Sequence, residues 1–326
     1  MNSLRWLVVA VLCISVTVGA LAARALAGLA IPPAKAGDAK KAGTTTPPAE
    51  AKPAGPAPSY DEVMKDPNRK VGFIRKTLRK PNSPDRIYQV WIPLAYTPDQ
   101  KWPCILFLHG VGEVGTDGEK ILNGAITAPI RQRRGKFDFI VVIPQAQDRG
   151  WGGADGNAAI DALKTTAAEY AVDTDRVYLT GYSMGGYGAF SMGASHAKAF
   201  AAVVPVAGGG GSAAAFKGIP IWVWHGADDD VVKVEESRSF VLSAARLPMV
   251  ELRYTEIPGC KHGSCGPAYS SDALWQWLLE HKVSDLGRRA PVKPVVDAPV
   301  WQKELEASGK LPPKPGDEKP KPATTR

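Results

Sequence analysis

Between Arg176 and Gly186 the chain reads Arg-Val-Tyr-Leu-Thr-Gly-Tyr-Ser-Met-Gly-Gly. An apolar strand-like run stops at Gly181, turns through Ser183 with a glycine two residues to either side, and re-enters a helix-like segment from Tyr187 to Gly193. This is the form of a nucleophile elbow, a turn so tight that glycine is required on either side of the serine. It would lift the Ser183 hydroxyl clear of the backbone and aim the N–H of Met184 at a developing oxyanion.

A serine hydroxyl attacks poorly unless a base takes its proton. Of the five histidines, His109 and His225 each precede a glycine at the end of an apolar run, where imidazole usually anchors a loop, and His196 and His281 fall at helix ends. His262 stands in the non-helical stretch Pro258 to Pro267, after one strand and before the last helix. That position makes it the candidate base. The base needs an acid to hold its tautomer, and Trp224-His225-Gly226-Ala227-Asp228-Asp229-Asp230 offers three aspartates on the turn after a strand. One of the three is the candidate acid; the others suit a polar turn before a helix. The chain order serine, aspartate, histidine is that of α/β-hydrolases. The second oxyanion donor is expected in His109-Gly110-Val111-Gly112-Glu113, at the N–H of Val111.

The elements that must hold these residues are legible as well. Val71–Arg79 and Arg86–Ile92 alternate as antiparallel strands do, around the turn 80–85. Short, continuously apolar runs follow at 104–108, 139–143, 177–180, 201–206 and 219–224, as in parallel strands buried on both faces. Helical patterns separate them, clearest at 157–171 and 234–245, with a last helix at 271–281. The expected fold is α/β, an α/β-hydrolase with a mostly parallel central sheet, helices on both faces and no large lid.

Composition divides the 326 residues. Residues 1–27 read as a signal peptide or membrane anchor: Arg5, then an uncharged apolar run from Trp6 to Ala23, then Ala25-Leu26-Ala27. Residues 28–59 form a Pro/Ala-rich linker expected to be disordered, 60–287 the catalytic domain, and 288–326 a Pro/Lys-rich tail expected to be disordered. The net charge of +8 lies outside the domain, where 25 Lys+Arg balance 25 Asp+Glu. That argues against a nucleic-acid partner. The expected location is exported: secreted, periplasmic or associated with the cell envelope. Membrane contact is expected only through the N-terminal segment, where it is kept as an anchor.

Cys104 lies in an apolar run and reads as a buried small hydrophobe. Cys260 and Cys265 bracket His262, and in an exported chain a local disulfide between them is one expectation. With His262 they are too compact a set for a metal and lack further ligands, so neither metal nor cofactor is expected. Trp151, in Asp148-Arg149-Gly150-Trp151-Gly152-Gly153, follows a strand end on the site's edge and is a candidate wall for the substrate pocket; a structural tryptophan fits equally.

With these residues in hand, positions from about Ile87 to His281 resemble the small secreted esterases and predicted peptidases of the α/β-hydrolase superfamily. These are related to polyhydroxybutyrate depolymerases, to feruloyl and acetylxylan esterases, and to prolyl oligopeptidase catalytic domains. The resemblance is carried by Val172 to Gly188, by Phe200 to Gly209, by Ile219 to Ala227, by Tyr254 to Gly259 and by Ala273 to Leu279. It implies Asp229 as the acid, four residues after the histidine of His-Gly and three before Val232. The chain departs from the pattern after His262, where a tryptophan is common and Gly263-Ser264 stands instead. The implied activity is a serine carboxylesterase acting through an acyl-enzyme on small esters, or on esters borne by polysaccharide or polyester. The alternatives are a serine peptidase on short peptides and a non-catalytic binding module on the same fold. Too little chain separates Ser183 from Asp229 for a sizeable lid, which favours an open site.

Overall fold

The computed structural model describes residues 65, 70–299 and 301–302. The segments 1–27 and 28–59, expected as export signal and linker, lie outside the described residues. Among the described residues no helix is long and apolar enough to cross a membrane.

Among the described residues nine strands form one sheet: β1 (Gly72–Leu78), β2 (Arg86–Ile92), β3 (Trp102–Leu108), β4 (Ile140–Pro144), β5 (Val172–Tyr182), β6 (Ala202–Val206), β7 (Ile221–Gly226), β8 (Leu252–Ile257) and β9 (Val295–Asp297). Their spatial order is β1-β2-β4-β3-β5-β6-β7-β8-β9. The pairs β1–β2 and β2–β4 are antiparallel, and every pair from β4–β3 onward is parallel. Among the described residues the strands are accompanied by α1 (Thr127–Gln132), α2 (Gly153–Glu169), α3 (Met184–Ser195), α4 (Glu235–Ala244), α5 (Cys265–Ser270) and α6 (Asp272–Leu279). The order is that of the α/β-hydrolase fold, and the chain has that fold.

The continuous apolar runs are explained by burial on both faces. All seven residues of β3 are buried. Leu106 and Leu108 join Ala159 and Leu163 of α2, Phe190 of α3 and Phe240 of α4 in one core. Ile105 and Phe107, on the opposite face, join Ile130 of α1, Tyr269 of α5 and Trp277 of α6 in the other. Each such side chain contributes roughly 1.5–3 kcal/mol of burial free energy, so a polar residue at any of these positions would be felt. α6 begins at Ser271, whose hydroxyl accepts the N–H of Leu274.

The sheet runs past residue 287, where the folded domain was expected to end. β9 pairs in parallel with β8, Val296 opposite Tyr254. Ala298 and Trp301 are buried, and Trp301 meets Tyr254 edge-to-face with ring centroids 5.4 Å apart. The Arg238 guanidinium lies over the other aromatic partner, 5.4 Å from the Trp301 ring. For residues 288–299 and 301–302 the expectation of a disordered tail is therefore corrected: a short edge strand and one anchored indole bind a proline-rich segment to the domain.

Candidate active site

The C-terminal ends of β3, β5, β6, β7 and β8 carry the loops that gather around Ser183. Between β5 and α3 the chain turns through Ser183 at φ 58° and ψ −118°, a backbone state costing on the order of 1–3 kcal/mol for a residue with a side chain. Neighbouring glycines make the turn possible. A Cβ on Gly181 would lie 2.1 Å from the Gly185 carbonyl oxygen, and one on Gly185 would lie 1.8 Å from that of Leu108. The turn is pinned by the Ser183 N–H on Val206 O at 3.0 Å and by the Tyr187 N–H on Ser183 O at 3.1 Å.

Ser183 Oγ lies 2.9 Å from His262 Nε2. His262 Nδ1 lies 2.8 Å from Asp229 Oδ2 and 3.0 Å from Oδ1. A carboxylate only accepts, so the neutral ring carries its proton on Nδ1 and leaves Nε2 to accept from the serine hydroxyl. The structure also separates the three aspartates. Asp229 is buried, whereas Asp228 and Asp230 are exposed, and Asp230 pairs with Lys261 at 3.2 Å. Burial pushes the Asp229 carboxyl up, but the hydrogen bonds from His262 and from the Val231 and Val232 N–H groups, the latter two at 2.9 Å, outweigh it. The net pKa lies below the ordinary carboxylate value.

Met184 opens α3 and Val111 opens the short 3₁₀ turn Val111–Glu113, so both N–H groups lack a partner within their own helix. The loop that carries Val111 rests on the elbow: a Cβ on Gly110 would touch Ser183 Cβ at 3.6 Å. His109 holds this loop from beneath. Its Nε2 accepts the Ala146 N–H at 2.9 Å, so Nδ1 carries the proton and donates to Gly110 O at 2.6 Å. Burial pulls its pKa down to about 4, which keeps the ring neutral.

Trp151 takes the structural place that its position also allowed. It is buried, with Nε1–H donating to His109 O at 3.0 Å and its ring edge-on to His109 at 4.8 Å. Gly188 of α3 lies so close that a Cβ there would meet Trp151 Cβ at 2.7 Å. Its place is against the loop that runs from His109 to Glu113. The Cys260–Cys265 disulfide is corrected too, because both are free thiols. Cys260 lies before the 3₁₀ turn His262–Ser264 and donates to Lys261 O at 3.4 Å. Cys265 begins α5 and packs against Tyr182, and burial pushes its thiol up to about 11.

Residues that the sequence did not single out support the three central side chains. The Tyr182 hydroxyl donates to His262 O at 2.7 Å, and the two rings lie 5.1 Å apart. His225 is fully buried. Its Nε2 lies 2.9 Å from Val232 O and 3.3 Å from Asp229 Oδ2. Its Nδ1 lies 2.7 Å from Ser237 Oγ, which in turn reaches Gly208 O at 2.7 Å. A carbonyl only accepts, so Nε2 carries the proton. Asp229 is thus faced by two imidazoles. The only sequence signal was the His-Gly pair itself, read as a loop anchor.

The prolyl oligopeptidase family profile matches residues 144–210, from the end of β4 to the loop after β6. A bifunctional acetylxylan esterase/xylanase of Neocallimastix patriciarum is 29% identical over 164 residues, covering 48% of this chain and 23% of that protein. Feruloyl esterase D of Neurospora crassa is 26% identical over 174 residues, covering 48% of this chain and 58% of that protein. The chain thus spans less than two thirds of these relatives. Among solved structures, a thermostable esterase superposes with a TM-score of 0.59 at 33% identity, over 64% of this chain and 63% of that one. A ferulic acid esterase superposes with a TM-score of 0.50 at 19% identity, over 63% of this chain and 96% of that one, a likeness of fold alone.

Proposed function

We propose that this α/β-hydrolase is a serine carboxylesterase, exported from the cell and acting on esters borne by polysaccharides. The observation that carries the reading is the hydrogen-bonded line from Ser183 Oγ through His262 to Asp229. Ser183 Oγ attacks the ester carbonyl carbon while its proton passes to His262 Nε2. The carbonyl oxygen becomes an oxyanion facing the N–H groups of Met184 and Val111. Collapse breaks the bond to the alkoxy oxygen, which leaves as the alcohol with the proton from Nε2. Water then attacks the acyl-serine, again giving its proton to Nε2, and the acid departs as Ser183 recovers its hydrogen. Asp229 holds the tautomer and balances the imidazolium throughout.

The ester reading draws support from relatives described as acetylxylan and feruloyl esterases. The open site follows from the chain between Ser183 and Asp229, which is spent on α3, β6, a 3₁₀ turn at Ala213–Phe216 and β7. A second reading, a serine peptidase on short peptides, is favoured by the prolyl oligopeptidase profile over 144–210. A panel of p-nitrophenyl esters of increasing acyl length, run beside aminoacyl-p-nitroanilides, separates the two. Turnover of short-chain or aryl esters with inert anilides supports the esterase, and faster cleavage of anilides than of esters overturns it.

A further inference from the structure

We propose that the trough between the loop Gly210–Ala214 and α4 is a subsite for the neutral carbohydrate part of a glycan-borne ester, reached from Ser183 across the ring of Tyr187. The inference rests on the esterase reading of Ser183 for its purpose, though the binding it claims can be measured without any turnover.

Position comes first. After β6 the chain enters the loop through Ala207, held at φ 49°. The loop is wedged between α3 and α4: a Cβ on Gly208 would lie 2.7 Å from the Tyr187 nitrogen, and one on Gly209 would lie 2.5 Å from Glu236 Cβ. Gly210 and Gly211, at φ 89° and 74°, then carry the chain along the rim, a path that side chains would oppose. Beyond them opens a cavity of about 550 Å³, bounded by Ser212 on the loop side and by Glu236, Ser239 and Ser243 of α4, with Phe240 at its base. That volume suits one or two sugar rings among ordinary small-ligand sites.

Chemistry narrows the occupant. The polar side chains of the wall are three hydroxyls and one carboxylate, and the residues lining the cavity include no cation. Such a wall gives no counter-charge to an anionic ligand, and Ala213, Ala214, Phe240 and Leu247 beside the hydroxyls give it the mixed apolar and polar lining that a sugar ring presents in return. It can accept and donate hydrogen bonds to a neutral, hydroxyl-rich ligand. Ser243 Oγ already donates to Ser239 O at 2.9 Å, which leaves its lone pairs as acceptors.

The connection to the reacting centre is Tyr187. It lies one helical turn beyond Ser183 and is 39% exposed, the one aromatic among the exposed large hydrophobic residues of the described chain. Its backbone flanks the loop at Gly208 as Glu236 of the trough flanks it at the next residue, Gly209, so the turn that carries Tyr187 adjoins both Ser183 and the trough. An exposed ring with a polar tip offers a flat apolar face to a sugar and keeps its hydroxyl for hydrogen bonding.

The test uses the full chain carrying Ser183→Ala, so that no ligand is consumed, and titrates xylohexaose, cellohexaose and an oligogalacturonate by calorimetry. Saturable binding of a neutral oligosaccharide, weakened by at least about tenfold in both Ser239→Trp and Tyr187→Ala on that background, is the expected result. Ser239 and Tyr187 are exposed, and a circular dichroism spectrum checks each fold. No binding of either neutral oligosaccharide, binding unaffected by both substitutions, or tighter binding of the galacturonate would overturn the proposal. Failure of the esterase reading looks different: it is the absence of p-nitrophenyl acetate turnover by the unsubstituted chain, whatever the titrations show.

Discussion

The hydroxyl of Tyr182 donates to the carbonyl oxygen of His262 at 2.7 Å, so the residue preceding Ser183 also grips the backbone of the histidine that Ser183 faces. Ser183 and His262 come from distant parts of the chain, and this bond ties their separation to one rigid turn. Tyr182→Phe keeps the ring against the imidazole and removes only the hydroxyl. It should lower kcat by roughly 10-fold with little change in KM, since a displacement of about 1 Å at a reacting group costs up to about 10². Steady-state kinetics on p-nitrophenyl acetate decides it; an unchanged kcat would show that the loop is held without the bond.

Burial singles out Asp229 among its neighbours. Asp229→Asn retains the shape but favours the wrong imidazole tautomer, and should lower kcat by roughly 10⁴, the loss seen for the equivalent change in a serine protease triad. Asp228→Asn and Asp230→Asn, both on exposed side chains, should stay within a few-fold of the parent. Comparable losses at all three positions would contradict the assignment.

His225 supplies a buried N–H to Val232 O and toward Asp229 Oδ2. His225→Phe leaves both acceptors short of a donor, at a cost of about 1–3 kcal/mol. His225→Gln, whose amide can offer an N–H from a similar place, should recover part of that loss in both melting temperature and kcat. Equal damage from the two substitutions would mean that ring shape, and not the donor, is what Asp229 requires.

Acid should unfold the protein partly through Glu251. Burial pushes its carboxyl up, but hydrogen bonds from His281 and Trp277 and the charge of Arg253 overcome this and bring the pKa to about 2. Because the folded value lies below the unfolded one, the stabilisation is complete above the ordinary carboxylate range and is lost as pH falls toward 2. It is worth on the order of 3 kcal/mol. Denaturant melts of the parent and of Glu251→Gln should therefore differ most near neutrality and converge toward pH 2. A gap independent of pH would place the difference in packing.

What could be read from the amino-acid order follows from how each signal is written. β3 and its parallel neighbours announce themselves because two buried faces leave no polar position in the run. β9 does not, because a three-residue edge strand among Pro291, Pro294 and Pro299 has no period to display, and its anchor is the single residue Trp301. Trp151 is buried through close contact with Gly188, a tertiary fact with no local mark. The spacing of Cys260 and Cys265 says nothing of where their thiols point. The grips of Tyr182 on a carbonyl and of Ser237 on Gly208 link residues far apart in the chain, so no motif encodes them. The aspartates were separable only by resemblance, and burial is what distinguishes them physically.

In the proposed reaction Ser183 carries the acyl group. The parent chain is mixed with p-nitrophenyl acetate, quenched in acid within the burst, digested and mapped by mass spectrometry. One acetyl group is expected on the peptide containing Ser183 and none in Ser183→Ala, whose kcat should fall by a factor on the order of 10⁶. Acetyl on another residue, or turnover surviving in Ser183→Ala, would contradict it.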